Sequence, residues 1–516
     1  MTGFSFWGMA FGFVTALCSS FFLAKKFFAV FQQTSYRGRE YVRKLIICVP
    51  GRIIVLLCVG LLYGASVYFA EGKTAVTYVP LLSFVLFSAC YGVVCKPVVK
   101  TAFTARMKRI FVTGTLLFVF SGAILGGFVF SPVVGFLLVS LTPAVPLSGA
   151  LPWFGYDRAK YRQAKEKCKQ RLAEYPELIR VGITGSCGKT SVKNYLNKML
   201  SGSFDVLATP KSFNTPLGIC RATEKLCGDT EVFLVEMGAR KRGDIAELCD
   251  MVSPSVAVLT SVTGQHLETF GSAEEIARTK YELVRAVGEK GFAVFSADSP
   301  MLAPLYASAP CEKISVGFGG EREGVKAENF RQGERGSSFD LWMEGKMYPI
   351  ENSLVGKFSA TDICLAAAVA RKLGVPREKI ASAACRLKAV EHRLSVSVTP
   401  GGVTIADDGY NANPEGIVAA AEFLDTFSGK KIVVTPGLAE LGRFRRVCNE
   451  NAGRVLAAHA DTIVAIGKNG GPIVRGAGGR CETVRVRSRE KAKKFLEGKT
   501  GRGDVVLFLN DFPDVF

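Results

Sequence analysis

From about residue 176 to its end, the chain alternates short apolar runs with longer segments of helical spacing. Residues 178–183 and 232–235 are apolar runs of strand length, and they read as short buried strands. Residues 354–373 form an Ala-rich segment whose spacing predicts an internally packed helix. Further on, 394–398 and 403–406 alternate as strands do. Residues 430–435 then precede a helical pattern over 441–458, and 462–466 precede a glycine-rich loop. This order predicts two α/β modules, one over 176–393 built on a parallel sheet and one over 394–516 with a Rossmann-like pattern.

Upstream the pattern changes. Residues 1–152 are nearly saturated with apolar side chains. Segments 4–24, 45–70 and 74–95 each reach the ~20 residues that a transmembrane helix needs, without an internal acid. The run 110–151 is about twice that length, and Gly126, Gly127, Ser131 and Pro132 offer a turn in its middle. Five spans are therefore expected, the fifth interrupted by Pro143 and Pro146. A basic helical linker is expected over 153–175. The expected fold class is thus an α-helical membrane region followed by two α/β domains.

Charge orients this picture. Lys25, Lys26, Arg37, Arg39, Arg43 and Lys44 lie between the first two spans. Lys96, Lys100, Arg106, Lys108 and Arg109 lie between the third and fourth, and Arg158, Lys160, Arg162, Lys165, Lys167 and Lys169 follow the fifth. The positive-inside rule then predicts a multi-pass cell-membrane protein with its N-terminus outside and everything after Tyr156 in the cytoplasm. No Asp or Glu falls within the spans, which favours an anchor over a channel or transporter. Much of the +20 net charge sits beside these segments, so an anionic lipid bilayer is the expected partner and nucleic acid is not. No RNP, zinc-finger or helix-turn-helix signature accompanies the charge. The 15 cysteines include no CxxC pair, which reads as reduced thiols and not as a disulfide framework or zinc ribbon.

The chemistry begins at the first predicted strand of the second module. There a buried strand runs into Gly185, Ser186, Cys187 and Gly188, then Lys189, Thr190 and Ser191 open a helix. Such a turn presents backbone N–H groups and a positive dipole end to phosphate. Lys189 would reach the terminal phosphates and the Thr190 hydroxyl would ligate Mg²⁺. The longer phosphate-loop pattern wants a glycine where Ile183 stands, so the match is to the shorter GxxGKT form. Cys187 reads as a tolerated small residue, since no His lies near it in sequence.

Thr184 to Thr190 resembles the phosphate loop of the Mur ligase family, which joins amino acids or peptides to carboxylates with ATP. Further motifs follow in the family's order over about 340 residues. The segment 211–218 resembles the one that carries an ATP-site Asn, here Asn214. Glu236 ends an apolar strand where the family has a magnesium ligand, and the segment 264–271 makes His266 the counterpart of a second one. Residues 277–283 resemble the helix whose lysine is carbamylated in the family, here Lys280. His392 and Arg393 match the end of the central domain, with Arg393 on a phosphate. The segment 407–414, with Asp408, Tyr410 and Asn411, is the most specific and is nearest the MurF type, which adds D-alanyl-D-alanine.

The resemblance implies a P-loop central domain, a Rossmann-like C-terminal domain that swings over ATP, and amide formation through an acyl phosphate. ATP, Mg²⁺ and a carbamylated Lys280 are the cofactors so implied, with Lys189, His266, Lys280 and Arg393 as the catalytic set. Fixed cations suit a reaction that gathers charge on a transferring phosphoryl group. The other substrates would be a peptidyl carboxylate of a cell-envelope precursor, lipid-linked or UDP-linked, and an amino acid or dipeptide. Taken singly, each residue has a plainer role: a strand-end Glu is solvated, a loop His is a surface group, and Lys280 pairs with Glu275 or Glu282 on a helix face.

Three departures from the family stand out. Its soluble N-terminal domain is replaced by the apolar region. Phe358 and Asp362 stand where His and Asn are usual, and residues 509–514 replace a basic stretch. A poly-γ-glutamate-synthase-like ligase, an amidating ligase for lipid-linked precursors and a non-catalytic nucleotide-binding scaffold are the competing readings.

Overall fold

The computed structural model describes residues 24–25, 27–32, 34, 36–48, 102–128, 142–264, 267–409, 413–439 and 441–509. The chain separates into two compact units, 1–161 with 513–516, and 162–512.

In the first unit, helix Gly38–Cys48, helix Ala105–Phe128 and the short helix Val145–Ala150 are described. Phe27, Phe28, Phe31, Tyr41, Met107, Ile110 and Val145 form a small apolar core there. Gly114 and Gly149 let the two later helices touch backbone to backbone, since a Cβ on Gly149 would meet Gly114 Cα at 2.8 Å. Asp157 takes charge-assisted hydrogen bonds from Arg106 at 2.7 Å and Arg109 at 2.9 Å.

The expected membrane region is corrected here. Among the described residues, no helix is long and apolar enough to cross a membrane. Helix Gly38–Cys48 has 11 residues, about 17 Å at 1.5 Å per residue, against the ~30 Å of a bilayer core. The described end of the expected fifth span, 142–153, is a 3₁₀ turn, a helix of 6 residues and a second 3₁₀ turn, with Pro143, Pro146 and Pro152 in these three pieces. Helix Ala105–Phe128 carries Arg106, Lys108 and Arg109 in its first turn and buries Met107 and Ile110 against its neighbours. The expected spans over 4–24 and 74–95, and most of 45–70, lie outside the described residues. The multi-pass placement with an outside N-terminus is corrected on the one ground that no helix among the described residues is long and apolar enough to cross a membrane.

The second unit holds two sheets. The first contains β1 (Ile179–Thr184), β2 (Val206–Ala208), β3 (Val232–Glu236), β4 (Val256–Leu259), β5 (Phe292–Ser296), β6 (Glu312–Gly317), β7 (Val325–Gly333), β8 (Gly336–Met343) and β9 (Lys346–Asn352). Their order is β2-β3-β1-β4-β5-β6-β7-β8-β9. Pairing is parallel as far as β7, and β7–β8 and β8–β9 are antiparallel hairpins, so the sheet is not wholly parallel. Strand β3 is buried throughout because alternate residues feed two cores. Val232 and Leu234 face one of them, and Phe233 and Val235 face the other. Helix Lys357–Lys372 fills the first core with Ile363, Cys364, Leu365 and the alanines around them.

The second sheet contains β10 (Ser395–Val398), β11 (Thr404–Asp408), β12 (Lys431–Thr435), β13 (Thr462–Ile466), β14 (Glu482–Val486) and β15 (Val505–Leu509), in the order β10-β11-β15-β12-β13-β14. All pairs are parallel except β10–β11. The α/β reading of both halves holds. In each, the parallel strands run with their C-terminal ends on one edge, where open α/β sheets bind ligands.

Candidate active site

The loop after β1 is fixed from below by the segment that follows β4. Ser186 N donates to Ser261 O at 2.7 Å, Cys187 N to Ser261 Oγ at 3.1 Å, and Thr263 N to Ser186 Oγ at 3.0 Å. Thr260 Oγ1 donates to the Cys187 carbonyl, and a Cβ on Gly185 would strike that same hydroxyl. Gly188 caps helix Lys189–Leu200 in the left-handed region, at φ 78°, and no side chain caps that end. Its first-turn N–H groups are therefore open to an anion. Lys189 folds over the loop, its Nζ donating to Gly185 O at 2.7 Å and Ser186 O at 3.0 Å. Burial holds its pKa down, and nearby Glu236 opposes that.

The parallel register sets Glu236 beside Ile183, one strand from the loop. Its carboxylate is 1% exposed and fully engaged. Thr190 Oγ1 donates to Oε2 at 2.9 Å, Asn214 Nδ2 donates to Oε1 at 3.0 Å, and Lys193 Nζ lies 3.2 Å from Oε2. Lys193 also donates to Lys211 O. Thr190, Asn214 and Glu236, predicted from separate segments, thus form one connected group with the loop. Gly238 lacks a Cβ where Asn214 passes, since one placed there would meet Asn214 Cγ at 2.8 Å.

Lys280 stands on helix Ala273–Val287 and is 5% exposed. Burial, and then the Lys189 charge, hold its pKa well below that of a free lysine. It makes no ion pair with Glu275 or Glu282: Glu275 lies by Arg242, and Glu282 accepts from the Gly243 and Ala246 N–H groups. Arg393 lies close enough to Cys187, Lys189, Asp362 and Asp408 to bias the ionisation of all four. Asp408 ends β11, is pushed up to about 6 by burial, and accepts from Leu394 N at 3.2 Å. Ser191 is buried in the first turn of the loop helix. His266, Tyr410 and Asn411 lie outside the described residues.

Two groups here escaped sequence reasoning. Lys193 stands one helical turn after Lys189, a spacing that could have flagged it as sharing that face. Asp362 was read as a departure and nothing more. It is 5% exposed, its Oδ2 has no hydrogen-bond partner among the described residues, and its carboxylate lies against Gly188 where a Cβ would collide. Burial pushes its pKa up to about 7, with Arg393 pulling the other way.

A Thr hydroxyl and a carboxylate are hard oxygen donors and suit Mg²⁺, which takes one or two protein ligands beside phosphate oxygens. Among the described residues, no group of three or more His, Cys, Asp or Glu is placed to hold a metal ion.

The model of the Mur ligase middle domain matches residues 183–370, and that of the Mur ligase glutamate ligase domain matches 392–510. The UDP-N-acetylmuramoyl-tripeptide–D-alanyl-D-alanine ligase of Mycobacterium bovis is 31% identical over 357 residues, 63% of this chain and 69% of that protein. The chain belongs to the Mur ligase family. The Bacillus subtilis enzyme of the same name is 29% identical over 338 residues, covering 64% of this Mur ligase and 72% of the relative. Among solved structures, MurF of Acinetobacter baumannii aligns with a TM-score of 0.63 at 26% identity, over 68% of this chain and 77% of that one. MurF of Thermotoga maritima in complex with ADP aligns at 0.60 with 28% identity, over 68% and 80%. The protein is an ATP-dependent ligase that forms an amide bond on a peptidoglycan precursor. None of these relatives is named for a lipid-linked precursor or a bilayer partner.

Proposed function

We propose that this Mur ligase joins the terminal carboxylate of a UDP-linked muramoyl peptide to the amine of D-alanyl-D-alanine. The relatives named for that reaction support the substrate pair. The observation that carries the residue assignment is the convergence of Thr190 and Asn214 on Glu236, at 2.9 and 3.0 Å, beside the open helix end at Gly188.

In this reading the acceptor carboxylate oxygen attacks the terminal phosphorus of ATP and ADP leaves. The amine nitrogen then attacks the acyl carbon, phosphate leaves, and the nitrogen gives up a proton. Gly185, Ser186, Cys187 and Gly188 with the first turn of the helix cradle the phosphates, and Lys189 swings from its two loop carbonyls onto the transferring group. Arg393 supplies a second fixed positive charge. Asn214, Asp408, Tyr410 and Asn411 complete the nucleotide contacts.

Thr190 and Glu236 would hold one Mg²⁺ and His266 with a carbamylated Lys280 another, and the metal would supply charge neutralisation at the phosphates. Lys280 suits carbamylation because only the neutral amine reacts with carbon dioxide, and its surroundings already disfavour the cation.

The test is ADP and phosphate release by the purified protein given ATP, Mg²⁺, UDP-N-acetylmuramoyl-tripeptide and D-alanyl-D-alanine. Release is expected only with all four present, and Lys189→Ala should abolish it. Release that ignores the dipeptide, or survives in Lys189→Ala, would overturn the proposal.

A further inference from the structure

Asn413 is the N-cap of helix Pro414–Leu424, and its Oδ1 accepts the Gly416 N–H at 3.0 Å. That bond fixes which end of the amide points where. The other end leaves its own helix and crosses to the central half of the protein. There Nδ2 donates to Cys187 Sγ at 2.8 Å. Asn413 is 7% exposed, so little water competes for the donor.

Cys187 is equally constrained from its own side. Its N–H and carbonyl are both taken by Ser261 and Thr260, which fixes the backbone that carries the thiol. Burial pushes the thiol pKa up, which keeps it a neutral acceptor even with Lys189, Arg393 and Lys280 nearby. The contact also brings the N-terminal end of helix Pro414–Leu424, with its positive dipole, against the loop that would cradle the phosphates.

The chain link between the halves holds strain that other contacts must sustain. His392 at φ 61° and Leu394 at φ 45° flank Arg393, and both lie in the left-handed region. His392 is held by Asp407 at 2.7 Å and Leu394 N by Asp408 at 3.2 Å. Elsewhere, Gly442 packs on the backbone of Glu268, its absent Cβ 3.3 Å from Glu268 Cα. Among the described residues of the second domain, Asn413 makes a hydrogen bond to the phosphate loop itself.

We propose that Asn413 and Cys187 form a latch that docks the glutamate ligase domain on the phosphate loop, making both positioning residues for nucleotide-dependent ligation. The proposal rests on the nucleotide-site reading of that loop. A thiol accepting from an amide is a weak bond, so its loss should cost a modest factor and not the activity.

The experiment is a double-mutant cycle in the full chain, with Mg·ADP affinity measured by calorimetry beside thermal unfolding. Asn413→Ser keeps an N-cap of similar quality while losing the amide donor, so thermal stability should stay near wild type. Cys187→Ala removes the acceptor. Each single variant should weaken Mg·ADP by roughly 2–10-fold, the range for one hydrogen bond, and the double variant should be no weaker than either. Cys187→Ser should restore coupling to Asn413, because a hydroxyl accepts in the same place.

Effects that multiply independently in the double variant would overturn the latch, as would unchanged affinity in both singles. In that case Lys189→Ala still weakens Mg·ADP, and the nucleotide site stands. Affinity unchanged in Lys189→Ala, or a wild type that binds no nucleotide, overturns the site and the latch together.

Discussion

Replacing Asp362 with Asn should stabilise this enzyme, and the gain should depend on pH. The wild-type carboxyl is buried beneath Gly188 with one oxygen lacking a partner, and its pKa is pushed from 3.8 up to about 7. A carboxyl raised in this way binds its proton more tightly folded than unfolded. Stability therefore falls as pH rises from about 4 to about 7, and above that the full penalty is present. At about 1.4 kcal/mol per pH unit, the interval from 3.8 to about 7 comes to about 4 kcal/mol. An amide brings its own buried donor, which costs about 1 kcal/mol if unpartnered, leaving roughly 3 kcal/mol at pH 8. For a domain of this class that is a rise in Tm of roughly 6–12 °C. Near pH 4.5, where the wild-type carboxyl is already protonated, the two proteins should melt together within a few degrees. Scanning calorimetry at both pH values decides it. An equal shift at pH 4.5 and pH 8, or none at pH 8, would refute the claim that a buried charge is being relieved.

Lys193→Met should leave Glu236 buried with its charge unmatched and lower stability by roughly 3 kcal/mol or more, read by urea unfolding; unaltered stability would mean that Thr190 and Asn214 suffice. Gly188→Ala places a Cβ at φ 78° and against the Asp362 carboxylate, so Mg·ADP binding should be lost in calorimetry while the domain still folds. With ¹³C-bicarbonate at pH 8, a carbamate carbon signal should appear in the NMR spectrum and vanish in Lys280→Arg. It should fade on acidification, as the amine regains its proton, and its absence at saturating bicarbonate would remove Lys280 from the metal site.

Several parts of this protein were legible in the chain because local rules control them. A strand that ends in a GxxGKT turn and opens a helix needs only the backbone freedom of Gly188 and the spacing of Lys189 and Thr190. The predicted strand over 462–466 coincides with β13, and the long Ala-rich helix came within a few residues of Lys357–Lys372, because burial pattern follows periodicity. Where the apolar N-terminal region is described, over 38–48, 105–128 and 142–153, its pattern misled for the converse reason. Mean hydropathy records how greasy a segment is, whereas span length depends on where prolines and basic residues end a helix. The antiparallel edge β7–β9 was not anticipated, since alternation says nothing of which neighbour a strand chooses.

The alternation of strands and helices from residue 176 onward and the strand, glycine turn and helix of the phosphate loop were determined by sequence alone, since each needs only neighbours within a few residues or a motif of fixed spacing. Tertiary structure alone decided what those residues face. Parallel register placed Glu236 beside the loop, burial between two helices raised the Asp362 pKa, and packing of two domains brought Asn413 to Cys187 across 226 positions. Charge and hydrogen-bond energies depend on distance and on the exclusion of water, and neither quantity exists until the chain has folded.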